Sequence, residues 1–281
     1  METLLGRAGL RISHDYVRLQ QSAYPAADAA FLKLESINEM NLPVFAVHDA
    51  VTGGITSKTQ GLGLFGPVSL EHFDRVEAFF FARHAAPKLV INPMAHSSLL
   101  DILHERSYER SGFTTWLLRG QDTTLPSVKL PVGYTLSRVG EHEFVDVAYV
   151  ISSAFTQLGV IPPPPELLAL HTLLMKMEDA QFYKVEHCGH IIGGAGWVMR
   201  EKTANLLGCA ILPRHRRKGL QQALIHRRTE DAFDKGVENC LLGSLPGGTS
   251  QRNAERMGYR ALFTNLHVER PVDSVMLQPA G

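Results

Sequence analysis

Residues 213–227 read PRHRRKGLQQALIHR. Arg214, His215, Arg216, Arg217 and Lys218 stand in a row, and Gly219 follows. Leu220, Ala223 and Leu224 then open an apolar stripe at helical spacing. The preceding NLLGCAIL (205–212) reads as a buried strand. A strand, a cationic turn, a glycine and a helix together can hold an anion. The first amides of a helix have no intrahelical partner and point outward. The helix dipole adds about half a positive charge there. Glycine lets the backbone approach a ligand without a Cβ in the way. Arg216, Arg217 and Lys218 add full charges. The combination suits a phosphate or pyrophosphate. A solvated basic turn is the plain alternative. However, cations at a helix start oppose its dipole, and a bound anion would remove that cost.

The explanation has to be local. The 281 residues carry 28 basic and 28 acidic side chains, so no broad basic face exists for nucleic acid. Cys188, Cys209 and Cys240 are odd in number and far apart, which fits a reducing compartment rather than a disulfide framework. No apolar run approaches the ~18 residues of a membrane span. The opening METLLGRAGLRISHD is charged where a signal peptide is apolar. The expectation is a cytoplasmic protein with neither nucleic acid nor membrane as partner.

The length suits two domains. The polar stretch GQDTTLPSVKLPVG (120–133), with two prolines, marks a linker. We place a first domain at 1–120, a linker at 121–131 and a second domain at 132–281. In the first, 14–24 and 28–40 read as helices, 43–50 and 53–59 as strands, and 69–85 as a helix capped by Ser69. KLVINP is a strand, LLDILHERS a helix and GFTTWLLR a strand. In the second, GYTLSRVG is a strand. FVDVAYVISSAF and ELLALHTLLMKM are helices joined through PPPP. QFYKVEHCG and HIIGGAGWVM form a hairpin turning at Cys188–Gly189. After the basic stretch come a helix, the strand NCLLGSL, the helix SQRNAERMG and the closing strand RALFTNLHVER. The expected fold is α/β, of the α+β kind: two lobes, each a mixed, mostly antiparallel sheet flanked by helices.

The halves lie over each other. ERSYERSGFTT (105–115) matches ERMGYRALFTN (255–265) at Glu, Arg, Arg, Phe and Thr. Pro67 of GLFGPVSLEHF falls on Pro213, at a slightly shorter offset. The second copy is about four residues longer after that proline, and the basic loop is the natural place for them. GLGLFG (61–66) also spells G-x-G-x-x-G, but Pro67–Ser69 separate it from the helix it would have to open.

Arg216-x-x-Gly219-x-Gln221 behind an apolar strand resembles the acyl-CoA pyrophosphate loop, Q/R-x-x-G-x-G/A, of the GNAT N-acetyltransferase superfamily. The element order from residue 132 onward is similar to that fold over about 140 residues. The first half resembles a worn second copy, as in tandem bacterial members. The resemblance implies acetyl-CoA as co-substrate, no metal, and transfer of its acyl group to an amine by direct attack. Backbone groups of Ala210, Ile211 and Leu212 would pair with the pantetheine arm. Amides of Arg217, Lys218, Gly219, Leu220, Gln221 and Gln222 would hold the pyrophosphate. A backbone N–H would stabilise the oxyanion. GLFGPVSLEH has neither Arg nor Lys, so no coenzyme A is expected on the first copy. A homodimer is left open.

Two proton transfers need groups. The family's tyrosine acid would fall at Ala254. Ser250 is a substitute, Asn253 a cofactor contact, and Tyr259 either an acid or a packing aromatic. Ser250 and Asn253 also suit helix capping. Glu201, Glu186 or a water chain would serve as base. Trp197 and Met199 line an acceptor pocket or fill the core, and Cys209 is either a working thiol or core. His187-Cys188-Gly189-His190 has ligand residue types but no second cluster. GVIPPPPEL, stiff and apolar with the single carboxylate Glu166, points to a small, partly apolar amine. The alternatives are a non-catalytic acyl-CoA sensor and a polyanion binder using the basic run.

Overall fold

The computed structural model describes residues 35–38, 44–48, 56–64, 66–121, 124–156, 158–200 and 202–271. The expected helix at 14–24 and Glu201 lie outside them. The chain divides into two compact units, 1–114 with 263–281, and 115–262.

The first unit holds β1 (Glu35–Asn38), β2 (Phe45–His48), β3 (Lys58–Gln60), α1 (Leu70–Phe81), β4 (Lys88–Ile91) and α2 (Ser98–Glu105). β1, β2 and β3 pair antiparallel, and β3 and β4 pair parallel. β4 is completed by Leu266–Glu269, the end of β11 (Arg260–Glu269). At 35–38, the described part of the expected helix at 28–40, β1 stands instead. Its four residues are held in a ladder with β2, and cross-strand pairing overrides local spacing in so short a segment.

α1 buries Phe73, Val76 and Phe80 completely against Leu89, Leu99 and Ile102. Each such side chain contributes about 2–3 kcal/mol by leaving water. Ser69 caps the helix, its hydroxyl oxygen accepting from the His72 amide at 3.2 Å. On the same helix Glu77 is buried and shared by three donors. Arg106 reaches it at 2.7 Å, Arg270 at 2.9 Å and the Tyr108 hydroxyl at 3.0 Å. Burial and the Glu77 charge together push the Tyr108 phenol far above its ordinary value. This carboxylate ties α1 to the segment after α2 and to the residue following β11.

The second unit begins with Thr115–Gly120 of β5 (Glu109–Gly120). Then come β6 (Tyr134–Arg138), α3 (Phe144–Phe155), α4 (Pro165–Lys176), β7 (Ala180–His187), β8 (His190–Arg200), β9 (Thr203–Ile211), α5 (Leu220–Asp234), β10 (Asn239–Ser244), α6 (Thr249–Arg256) and the start of β11. Strand order in this unit is β5-β10-β9-β8-β7-β6. Every pair is antiparallel except β9–β10. The mixed, mostly antiparallel sheet with helices is the expected fold class.

The β7–β8 hairpin turns at Cys188 and Gly189, both with positive φ, as a two-residue hairpin loop requires. α3 packs Val147, Ala148 and Ile151 with Phe182 and Met175. α5 packs Leu224, Ile225 and Ala232 with Trp197, Leu206 and Leu242 in a separate cluster. Trp197 is 1 % exposed and Met199 packs beside it, so both belong to the core. Leu125, Val128 and Leu130 of the expected linker also pack against this cluster.

The units share a wiring. In the first, β3, α1, β4 and α2 follow one another with β3 and β4 parallel; in the second, β9, α5, β10 and α6 do the same. In each, the second strand of the parallel pair also has an antiparallel neighbour: Leu266–Glu269, from later in the chain, on β4, and Thr115–Gly120, from earlier in the chain, on β10.

Replacing Glu77 with Gln removes the charge that Arg106 and Arg270 share. We expect a loss of about 2–4 kcal/mol in denaturant titration. Hydrogen exchange should rise first in β4 and at Leu266–Glu269.

Candidate functional site

The site starts where two strands part. β9 and β10 pair in parallel from Thr203↔Asn239 to Leu206↔Leu242 and no further. Beyond that point β10 stays with β5, Gly243 opposite Trp116 and Ser244 opposite Thr115. β9 stays with β8, Ala210 opposite Gly194 and Ile211 opposite Gly193. The edge of β9 that faced β10 is therefore left without a strand partner. Within it the register slips: Leu207 faces Gly196 and Ala210 faces Gly194, so Gly208 and Cys209 both stand opposite Ala195. This is a β-bulge, and Gly208 takes the left-handed φ of 59° that it needs.

After β9 the chain makes a short 3₁₀ turn at Pro213–His215 and enters α5 through Gly219, whose φ is 76°. The glycine brings no side chain to cap the helix, unlike Ser69 on α1. Arg217 also holds a left-handed φ, 64°, which is uncommon for a residue with a Cβ. α1 begins three residues after Pro67 and α5 seven after Pro213, so the four extra residues lie in the basic turn.

A cleft of about 630 Å³ runs along this edge. Of the residues singled out by sequence, Ala210, Ile211, Arg216, Arg217, Gly219, Leu220, Gln221, Gln222, Ser250 and Asn253 all line it. Leu212 and Lys218 do not. Leu212 packs against the core. Lys218 stands over the Tyr134 ring, 5.4 Å from its centroid.

Arg216 differs from a free phosphate ligand. Its Nε donates to the Ile211 carbonyl at 2.9 Å, and an Nη to the Ala154 carbonyl at 2.8 Å. It thus fastens the loop to the end of β9 and to the C-terminal carbonyls of α3, where a cation complements the helix dipole. His215 meets the Tyr134 hydroxyl through Nδ1 at 2.9 Å and lies 5.3 Å from the His187 ring. Burial, then Arg214, His187 and Lys218, hold its pKa below the ordinary value. His187 of the 187–190 motif is thus part of a ring cluster with Tyr134 and His215. Among the described residues no three His, Cys, Asp or Glu side chains are grouped as a metal ion would need.

α6 forms the facing wall. Gln221 donates to Ser250 Oγ at 3.2 Å and accepts from Asn253 at 2.6 Å. Arg256 donates to Asn253 at 3.0 Å. Ser250 therefore faces the cleft, already engaged by Gln221. Tyr259 does not face it. The residue is 2 % exposed and its hydroxyl lies 2.6 Å from Thr229 Oγ1. Burial raises its pKa well above 10. That corrects its candidacy as an acid: the apolar core around Tyr259 claims the ring, and the proton is committed inside. Glu186 pairs with Lys184 at 3.1 Å in the hairpin, outside the cleft lining. Among the described residues no Asp or Glu lines the cleft.

Two residues near the cleft were missed by sequence. His171 of α4 is 2 % exposed, with Nδ1 2.8 Å from the Leu167 carbonyl and 2.9 Å from Ser152 Oγ. Its ring packs on Phe155, which lines the cleft. Burial lowers its pKa to about 4, so it is neutral at pH 7. Arg228 of α5 is 1 % exposed and bonds the carbonyls of Gly196 and Leu207 beside the bulge. His171 sits inside an apolar helical pattern that sequence reading assigns to packing, and Arg228 in the polar run HRRTED, which gives no sign of burial.

A parallel pair thus opens beside a glycine-started, cation-rich turn. The model of the acetyltransferase (GNAT) family matches residues 132–259, and that segment is a domain of this family. Among solved structures the chain is similar to a GCN5-related N-acetyltransferase from Kribbella flavida, with 16 % identity and a TM-score of 0.68, over 93 % of this chain and 96 % of that one. It is similar also to a GCN5-related N-acetyltransferase from Sphaerobacter thermophilus, with 13 % identity and a TM-score of 0.60, over 95 % and 96 %. A tandem GNAT protein from the clavulanic acid biosynthesis pathway aligns with 13 % identity and a TM-score of 0.57, over 82 % and 79 %. These likenesses are likenesses of fold. No curated protein matches the chain. No helix among the described residues is long and apolar enough to cross a membrane.

His171 makes a pH prediction. Its folded pKa lies below its unfolded value of about 6.5, so between about pH 4 and 6.5 the unfolded chain binds more protons. Stability therefore falls as pH drops through that window. His215 and His267, also lowered, act in the same direction. On going from pH 7 to 4.5, wild type should lose about 2–3 kcal/mol more than His171→Gln in denaturant titration.

Proposed function

We propose that the second unit is an acetyl-CoA-dependent N-acetyltransferase acting on a small, partly apolar amine. The observation that supports this most is the sharing of one cleft by the unpaired edge of β9, the uncapped start of α5 and the cationic turn. In this reading, backbone groups at Ala210, Ile211 and Leu212 continue their ladder onto the pantetheine amides. The amides from Arg217 to Gln222 hold the pyrophosphate, and Arg217 and Arg256 balance its charge. The bulge at Gly208–Cys209 supplies backbone N–H groups for the carbonyl oxygen as it becomes an oxyanion. The amine attacks the thioester carbonyl, the C–N bond forms, and the C–S bond breaks.

The acceptor side carries the apolar surface. Phe155 lines the cleft, and Leu158, Val160 and Ile161 of the following loop are exposed. With no carboxylate in the lining, a polycationic acceptor has no counter-charge. The first unit plays no part in binding coenzyme A: Ser69 already occupies the start of α1. We read it as a worn copy of the same domain, and a cytoplasmic location and a possible homodimer remain part of this proposal.

A non-catalytic acyl-CoA sensor is the second reading. It is favoured by the absence of Asp, Glu and Tyr from the residues lining the cleft. Coenzyme A release with a panel of small amines separates the two. The transferase reading expects turnover on phenyl- or alkylamines and little on spermidine; binding without turnover on any amine supports the sensor.

Gly219→Val tests the cradle itself. A branched Cβ is strained at φ 76° and crowds an anion at the helix start. Calorimetry should show acetyl-CoA affinity weakened about 30-fold or more, in a protein that stays folded but loses the ~1–3 kcal/mol of stability that the strain costs. Unchanged affinity would remove the loop from the binding site.

A further inference from the structure

Among the described residues the cleft lining includes no phenol and no carboxylate, yet breaking the C–S bond leaves negative charge on sulfur. The proposed function puts the thioester at the β9 bulge, and Arg228 stands beside that bulge. Its Nε donates to the Leu224 carbonyl at 3.0 Å, and Nη1 to Gly196 and Leu207 at 2.9 and 3.2 Å. Leu207 is the first residue of β9 beyond its last pair with β10, and Gly196 is its partner on β8. The guanidinium therefore sits at the vertex where the strands part, against the bulge.

Among the described residues no carboxylate lies within ion-pair distance of Arg228, and Nη2 is buried without a hydrogen-bond partner. A packing role alone would not call for an unpaired cation with a spare donor. The field reaches both sides of the vertex. Burial raises the thiols of Cys209 on β9 and Cys240 on β10, and Arg228 pulls both back down. Cys209 itself lines the cleft.

We propose that Arg228 supplies the positive field that lets the coenzyme A sulfur leave as a thiolate, in place of a proton-donating acid. The proposal rests on acetyl-CoA being the ligand of this cleft. As the acceptor nitrogen forms its bond to the acyl carbon, the C–S electron pair stays on sulfur. The proton lost by nitrogen passes to water, and the thiolate needs no proton before it departs. Arg228 acts across β9 through its charge and through the bulge it holds.

Coenzyme A alone tests this, without an acceptor. The ultraviolet thiolate absorbance of its complex is followed against pH, with the desulfo-coenzyme A complex subtracted to remove the protein's own cysteines. The bound thiol should titrate at least one unit below free coenzyme A, giving about tenfold more thiolate at a pH below both values. Arg228→Met should return it to the free value or above, and Arg228→Lys should fall between. Desulfo-coenzyme A affinity within about threefold of wild type shows that a variant has kept its cleft. A wild-type thiol at or above the free value overturns the proposal, even if Arg228→Met does not fold. So does an Arg228→Met protein that binds desulfo-coenzyme A and leaves the thiol shifted. If wild type binds neither nucleotide, the acetyl-CoA reading fails first, and the role of Arg228 falls with it.

Discussion

The second unit depends on a strand that is paired on one side only. β9 keeps β8 along its whole length but loses β10 after Leu206. Backbone donors and acceptors are strong obligatory hydrogen-bonding groups, and an unmet edge is an open template. Here the edge lies inside a cleft rather than at the rim of a sheet. Whatever enters that cleft is invited to complete a ladder. The bulge, the turn and the uncapped helix are arranged along that one open edge.

Holding the edge open needs supports on both sides. Arg216 secures the turn to the end of α3 and to β9. Arg228 secures the vertex from the α5 side. A buried guanidinium costs several kcal/mol in desolvation, and hydrogen bonds to three carbonyls offset part of that. The rest of the cost is accepted where charge is useful. α6 completes the wall through Gln221, Ser250 and Asn253.

Much of this was legible in the sequence because it is local. The strand–cation–glycine–helix order at 205–224 needs no tertiary information, and the residues it nominated line one cleft, Leu212 and Lys218 excepted. The helix at 70–81 with Ser69 as cap, and the hairpin at Cys188–Gly189, follow from capping and turn chemistry. What was not legible depends on packing. Tyr259 carries a phenol that the chemistry could use, but the core encloses it. Arg216 looked like a phosphate ligand, and only the proximity of Ala154 shows it to be a fastener. Arg228 sits at i+4 from Leu224, next to the exposed Arg227 in the polar run HRRTED, so its burial has no sequence signal. Residues 35–38 carry helical spacing but are claimed by β2.

The central claim is that acetyl-CoA adds to the open edge of β9 and to the start of α5. Hydrogen–deuterium exchange with and without acetyl-CoA tests it most directly. The account predicts protection confined to 209–212 and 217–222, with none in β1 to β4 of the first unit. Binding that protects the first unit instead, or leaves 209–212 and 217–222 exchanging as before, would contradict it.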